Sequence, residues 1–171
     1  VSGPTALDTT RGNIQRINIE SASEMYSVTQ KTFPTCDAAI LSAAVADFSP
    51  ADVADKKIKR EGENLILKLK PTTDIAAALG QEKDVKGQNS ILVGFALETD
   101  NEMTHAKEKL KKKAFDFIVL NSLQDDGAGF RCDTNKITII DKEGNTSYPL
   151  KSKTEVATDI IDRLVLEINK P

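Results

Sequence analysis

Ser90 to Leu120 reads SILVGFALETDNEMTHAKEKLKKKAFDFIVL, and this stretch decides the fold class. Ser90 to Ala96 and Phe115 to Leu120 are short apolar runs, the form taken by parallel strands buried on both faces. Between them, Thr99-Asp-Asn-Glu102 has the spacing of a capping box. Met103, Ala106 and Leu110 then recur at helical period, which predicts a helix to about Lys113. Buried strand, helix, buried strand is the pattern of a parallel pair joined by a crossover.

The same grammar extends in both directions. Upstream, Ser21-Ala-Ser-Glu24 is a capping box, and Met25, Val28 and Phe33 predict a helix near 22–33 that Pro34 ends. Asp37 to Ala46 (DAAILSAAVA) is another uncharged apolar run and predicts a further buried strand. Lys57-Ile-Lys59 and Leu65 to Leu69 flank Glu61-Gly-Glu-Asn64 and predict a hairpin, with Leu65, Leu67 and Leu69 on its packed face. A short helix is expected from Thr73 to Gly80. Downstream, residues 122–135 form a Gly- and Asp-rich loop. Ile137 to Ile140 and Thr146 to Leu150 predict a second hairpin across Lys142-Glu-Gly-Asn145. Ser152-Lys-Thr-Glu155 caps a last helix with a stripe of Val156, Ala157, Ile160, Ile161, Leu164, Val165 and Ile168. The expected fold is α/β, a doubly wound Rossmann-like parallel sheet with antiparallel hairpin additions. No repeat, low-complexity tract or linker divides the chain, so residues 1–171 are expected to form one domain.

Composition narrows the function classes. Hydrophobic residues make up 39% and charged residues 29% of the 171, an ordinary balance for a globular chain with a sizeable core. No apolar run approaches the roughly 20 residues that span a bilayer. The start, VSGPTALDTTRGN, lacks the basic-then-apolar order of a signal peptide, so a cytoplasmic protein is expected. A net charge of -3 argues against binding nucleic acid or membrane through bulk charge. Cys36 and Cys132 have no metal-ligand spacing around them, and His105 is the sole histidine, so two reduced thiols and no protein-held metal are expected.

In an open parallel sheet, ligands bind beyond the carboxyl ends of the strands. Three such ends carry an abrupt polar residue: Asp47, Glu98 and Asn121. Polar strand ends also arise simply because strands meet water, so the coincidence suggests a site without naming its ligand. Lys56, Lys57 and Lys59 open the first hairpin, which could act as a flap. Lys109 and Lys113 share a helix face, and such a pair could clamp phosphate, although KEKLKKK also reads as a solvated face. No G-x-x-x-x-G-K-[ST] loop or G-x-G-x-x-G turn occurs. Residue patterns alone therefore indicate an α/β domain with a site for an anionic ligand.

Several segments resemble the phosphopantothenate–cysteine ligase family, which in bacteria forms the C-terminal half of a bifunctional coenzyme A biosynthesis protein. Ala43-Ala-Val-Ala-Asp-Phe48 with Lys57-Ile-Lys59 looks like its AAVADF/Y…KIK signature. Leu67 to Ile75 (LKLKPTTDI) is similar to its L-x-x-x-P-D-I segment, with Thr73 where proline is usual. Val93 to Thr99 (VGFALET) looks like VGFAAET, with Leu97 for an alanine. Ala106 to Asn121 resembles A-x-x-K-L-x-x-K-x-x-D-x-I-V-A-N, and Gly129-Phe130…Asp133…Asn135 resembles GF-x-x-D-x-N. These segments run in family order across almost the whole chain.

The resemblance implies a chemistry. The carboxylate of 4'-phosphopantothenate attacks the α-phosphate of CTP, forming an acyl-cytidylate and pyrophosphate. The amine of cysteine then displaces CMP. CTP is the co-substrate and Mg²⁺ bridges its phosphates. By position, Ser42, Ala43 and Asp47 correspond to nucleotide contacts, and Lys57 to the flap lysine that approaches the acyl-cytidylate. Pro71, Thr72, Thr73 and Asp74 match a segment lying against the nucleotide, Phe95 a base or ribose contact, and Lys109 and Lys113 the helix lysines that reach it. The resemblance also implies a homodimer, and fusion to or partnership with a flavin-dependent phosphopantothenoylcysteine decarboxylase. The family's first strand, first helix and Asn- and Ser-Gly-rich stretch have no counterpart here, so an N-terminal piece is expected to be absent. Side chains do not reveal a choice between CTP and ATP. The alternatives are a nucleotide-binding module without turnover and a dinucleotide-dependent α/β reductase.

Overall fold

A computed structural model describes the chain except residues 8, 10, 11, 60–63, 88, 99, 100, 123–132 and 171. In chain order the elements are α1 (Ala22–Thr32), a 3₁₀ turn (Phe33–Thr35), β1 (Ala38–Leu41), β2 (Phe48–Pro50), β3 (Leu69–Pro71), α2 (Ile75–Lys86), β4 (Ile91–Glu98), α3 (Glu102–Lys112), β5 (Phe117–Ser122), β6 (Thr134–Asn135), β7 (Ile137–Asp141), β8 (Asn145–Ser147), β9 (Lys151–Ser152) and α4 (Lys153–Ile168). They fall into two compact units, Val1–Gln30 with Ala44–Ile75, and Lys31–Ala43 with Ala76–Pro171.

The second unit holds a five-stranded sheet in the order β1-β4-β5-β7-β8. β1, β4 and β5 are parallel, and β7 and β8 continue the sheet antiparallel. This is the expected α/β sheet with a hairpin addition. Side chains alternate between its faces. Val93, Phe117, Val119, Ile137 and Ile139 meet Val156, Ile160 and Leu164 of α4 on one face. Leu92, Ile118, Leu120 and Ile140 are buried on the other, where α3 packs with Ala106 and Leu110. Helices on both faces make the sheet doubly wound. Gly94 lets β4 accept the Phe115 ring, since a Cβ there would stand 2.3 Å from it. At the amino ends of the strands, Asp116 accepts from the Leu92 amide at 2.6 Å and pairs with Lys83 of α2.

Three expectations are corrected in this unit. The apolar run 37–46 becomes strand only over Ala38–Leu41, and these residues are half-buried or exposed, because β1 is an outer strand with β4 as its one partner among the described residues. The helix expected to stop at Gly80 runs on to Lys86, and Gly87 follows at φ +61°. Gly80 serves packing instead: a Cβ there would lie 2.1 Å from the Lys113 carbonyl oxygen, where α2 meets the end of α3. The N-cap of α3 is Asn101, at φ 47°, rather than Thr99. Asparagine tolerates that left-handed conformation, and its carbonyl accepts from the Thr104 and His105 amides. The Ser152–Glu155 capping box is present in full at α4. The α4 stripe is split, with Val156, Ile160 and Leu164 buried and Ile161, Val165 and Ile168 exposed. Thr99, the turn residues 61–63, and the loop 123–132 with Gly129, Phe130 and Cys132 lie outside the described residues.

The first unit is built on a two-stranded ribbon. β2 and β3 pair antiparallel, Phe48 with Pro71 and Pro50 with Leu69, and the Ala51 amide donates to the Lys68 carbonyl at 2.9 Å. The expected hairpin is thus corrected: residues 57–59 form no strand, and the partner of the Leu65–Leu69 region is the segment after Asp47. Leu65, Leu67 and Leu69 do not pack either, being 65%, 61% and 53% exposed. Phe48, Pro50, Leu69, Lys70 and Pro71 of the ribbon are exposed, and Ser49 is half-buried. Elsewhere in the unit Ser2 bridges to Asn18 in parallel fashion. The Ser21–Glu24 capping box forms at α1, the Glu24 amide donating to the Ser21 hydroxyl at 3.2 Å and the Ser21 amide to the Glu24 carboxylate at 3.1 Å. The Glu20 and then the Ser21 amide, both donating to the Glu24 carboxylate, hold its carboxyl below its ordinary pKa.

Candidate functional site

The candidate residues separate into groups that the backbone positions in different ways. In the sheet unit, parallel pairing sets Leu41 against Gly94. One residue further along, Ser42 comes level with Phe95, and Ala43 follows at the same rim. Both Ser42 and Ala43 are exposed, and Phe95 is half-buried against the α4-side core. Beyond Phe95, Leu97 pairs with Asn121 of β5. Ser42, Ala43, Phe95 and Asn121 therefore lie along the carboxyl side of three adjacent parallel strands, where an open α/β sheet accepts ligands. No side chain here offers a strong nucleophile, so this rim is suited to holding a ligand by shape and hydrogen bonds.

In the ribbon unit the fold gathers a second group. The Thr72 amide donates to the Asp47 carbonyl at 2.9 Å, and the Thr72 hydroxyl donates to the Ala46 carbonyl at 2.6 Å. Antiparallel pairing of β2 with β3 thus brings Asp47 beside Pro71, Thr72, Thr73 and Asp74, residues distant in sequence. Asp74 directly precedes α2, at a position where aspartate favours a helix start. Lys57 does not join this cluster through any described contact. It sits exposed in the segment between β2 and β3, with Lys56 and Lys59 exposed around it. An exposed lysine on a long connection has the reach of a flap.

Lys109 and Lys113 form a third group. They lie on α3, on the sheet face opposite Phe95, and α3 runs back against the strand direction. The lysines thus occupy its last turns, toward the amino ends of β4 and β5. They are half-buried, whereas Lys107, Lys111 and Lys112 are exposed. Glu102 and His105 are also half-buried and fall on the same face by their three- and four-residue spacing. Residue patterns singled out the lysines but missed that the stripe continues through His105 and Glu102; the i, i+3, i+4 spacing was the available signal.

Asn135 was also missed as a site residue. It is one of two buried polar residues among those described, with Ser90. Its amide nitrogen donates to Asn121 Oδ1 at 3.1 Å. Only its place within the GF-x-x-D-x-N resemblance hinted at it. Among the described residues no group of three metal-ligating side chains gathers, and no helix is long and apolar enough to cross a membrane.

Comparisons with known proteins follow this geometry. The family described as the DNA/pantothenate metabolism flavoprotein C-terminal domain matches residues 1–167. A protein of an unknown prokaryotic organism named Cysteine/Cysteine sulfinic acid decarboxylase is 52% identical over 166 residues, covering 96% of this chain and 45% of its own length. The Coenzyme A biosynthesis bifunctional protein CoaBC of Bacillus subtilis (strain 168) is 39% identical over 165 residues, covering 96% of this chain and 40% of its own. This chain spans less than half the length of both. The crystal structure of the C-terminal domain of a CoaBC protein superposes with a TM-score of 0.76 at 32% identity, over 95% of this chain and 69% of that one. The family match over nearly every residue and the shared sheet agree, and the chain belongs to the DNA/pantothenate metabolism flavoprotein C-terminal domain family.

Proposed function

We propose that this chain carries the ligase site that joins 4'-phosphopantothenate to cysteine in coenzyme A biosynthesis, with CTP as co-substrate. The observation that carries this reading is the register of β1 on β4, which sets Ser42 level with Phe95 at the carboxyl rim, with Ala43 one residue beyond. A carboxylate is a poor electrophile. Transfer of a cytidylyl group from CTP turns its oxygen into a leaving group, pyrophosphate departs, and the cysteine amine attacks the acyl carbon to release CMP. Ser42, Ala43 and Phe95 are assigned to the nucleoside, and Asp47, Pro71, Thr72, Thr73 and Asp74 are assigned to the nucleotide by their match to the family segments. Lys57 closes on the phosphates and offsets charge as the acyl-cytidylate forms. Lys109 and Lys113 lie on the other sheet face toward the amino ends of β4 and β5, so they are not assigned to this rim. A Mg²⁺ ion bound with the triphosphate would supply further neutralisation, and Asp47 is a carboxylate suited to hold it.

The assembly is proposed to be a homodimer in the cytoplasm, linked to a flavin-dependent phosphopantothenoylcysteine decarboxylase. The large apolar side chains left exposed on the ribbon support a second copy as partner: Phe48, Val53, Ile58, Leu65, Ile66, Leu67 and Leu69 are all more than half exposed.

Calorimetric titration with CTP, ATP and NADPH in Mg²⁺, alongside cysteine-dependent pyrophosphate release, tests the reading. CTP binding is expected, with turnover in the full-length polypeptide that carries the N-terminal segment. Lys57→Ala is expected to lower turnover by about 10²-fold or more, the scale of a lost transition-state charge contact, and unchanged turnover would remove the role given to Lys57. A second reading follows from the relative at 52% identity, named for decarboxylation: this region then binds nucleotide without ligation, and titration shows CTP uptake with no pyrophosphate.

A further inference from the structure

Asn135 is a polar side chain with little access to water, 9% exposed, at the end of a two-residue strand whose partner is β9. Burying an amide is costly unless its hydrogen bonds are made. Here both ends are used. The Lys136 amide donates to Asn135 Oδ1 at 3.0 Å, and Asn135 Nδ2 donates to Asn121 Oδ1 at 3.1 Å. A backbone N–H can only donate, so the Asn135 atom facing Lys136 must be oxygen, and the nitrogen must face Asn121. Asn121 must then present its own oxygen to Asn135. The Asn121 amide is thereby fixed in one of its two orientations, with its N–H₂ turned away from Asn135. Among the described residues that N–H₂ has no hydrogen-bond partner.

The direction in which it is held matters because of where Asn121 stands. It pairs with Leu97 on one side and Ile137 on the other, at the carboxyl end of β5. Two residues back on the same face, Val119 pairs with Phe95. The half-buried Asn121 amide thus stands at the rim on the Phe95 side of the sheet.

We propose that Asn135 is a positioning residue: it locks the Asn121 amide so that two N–H donors, rather than a carbonyl oxygen, meet an acceptor atom of the bound pyrimidine nucleotide. This rests on the nucleotide reading of the rim. A donor at that point favours ligands presenting oxygen or unprotonated ring nitrogen and disfavours those presenting N–H.

The test is a double-mutant cycle on CTP affinity in the full-length polypeptide. Asn135→Asp keeps the shape but leaves only acceptors toward Asn121, so the Asn121 amide must turn over and present its oxygen to the ligand. CTP affinity is expected to fall about tenfold, the worth of one good hydrogen bond. In an Asn121→Ala background the same change is expected to alter affinity less than about twofold, because there is no amide left to turn. A merely structural or long-range charge effect of Asn135→Asp would persist in that background, and additive losses overturn the proposal. Full CTP affinity in Asn135→Asp also overturns it. If melting shows Asn135→Asp unfolded, Asn121→Ala decides alone: it must weaken CTP binding with its fold intact, and unchanged binding overturns the proposal. Wild-type protein that binds no CTP rejects both this proposal and the nucleotide reading, whereas wild-type binding with insensitive variants rejects only this one.

Discussion

At the scale of single residues, two opposing effects meet at Gly80. Helix propensity alone favours alanine inside a helix by about 0.5–1 kcal/mol. Packing opposes it, because the new Cβ would stand 2.1 Å from the backbone oxygen of Lys113, and backbone yields less readily than a side-chain tip. Overpacking of this kind costs roughly 1–3 kcal/mol. Gly80→Ala is therefore expected to destabilise the protein and lower its melting temperature by a few degrees, about 2–4 °C for each kcal/mol. A thermal melt that rises would show that α2 and α3 can separate to admit the methyl group.

At the scale of elements, the start of α4 couples helix stability to pH. The Ser152 hydroxyl and then the Ser152 amide hold the Glu155 carboxyl below its ordinary 4.5. A carboxyl whose pKa is depressed on folding stabilises the native state above its unfolded pKa. That contribution disappears as pH falls through the folded value. Ser152→Ala removes the larger of the two causes. It is expected to cost about 1 kcal/mol at neutral pH and to make the acid-side loss of stability shallower without abolishing it, since the backbone donor remains. Denaturant titrations across about pH 3–6 read both effects, and an unchanged slope would deny the capping box its role. The same capping logic was legible from Ser21 and Ser152 in the residue order, because both boxes lie within four consecutive positions. It misled at Thr99, where the chain starts its helix from a left-handed Asn101 instead.

At the scale of the whole molecule, the exposed ribbon bears on assembly. Ile66 is 92% exposed and its neighbours Leu65 and Leu67 are more than half exposed. If a second copy covers them, Ile66→Asp is expected to shift sedimentation from dimer to monomer while the melting transition of the monomeric fold persists. A dimer that survives this charge would place the partner elsewhere, and a wild-type monomer would remove it. The ribbon also marks where local patterns failed. Alternation of Leu65, Leu67 and Leu69 is the mark of a strand with one buried face, yet their burial depends on whether another layer lies above them.

The residues by themselves determined the β4-α3-β5 crossover, the final helix and the β7–β8 hairpin, because apolar period and turn chemistry act between neighbours in the chain. They also determined the family signatures at Ala43 to Phe48 and Val93 to Ala96. Only the tertiary structure decided that Asp47 sits beside Thr72, that Ser42 stands level with Phe95, that α2 passes through Gly80, and that Asn135 fixes the Asn121 amide. Each of these is a hydrogen bond, a register or a close approach between segments far apart in sequence, and such contacts leave no periodic trace in the order of residues.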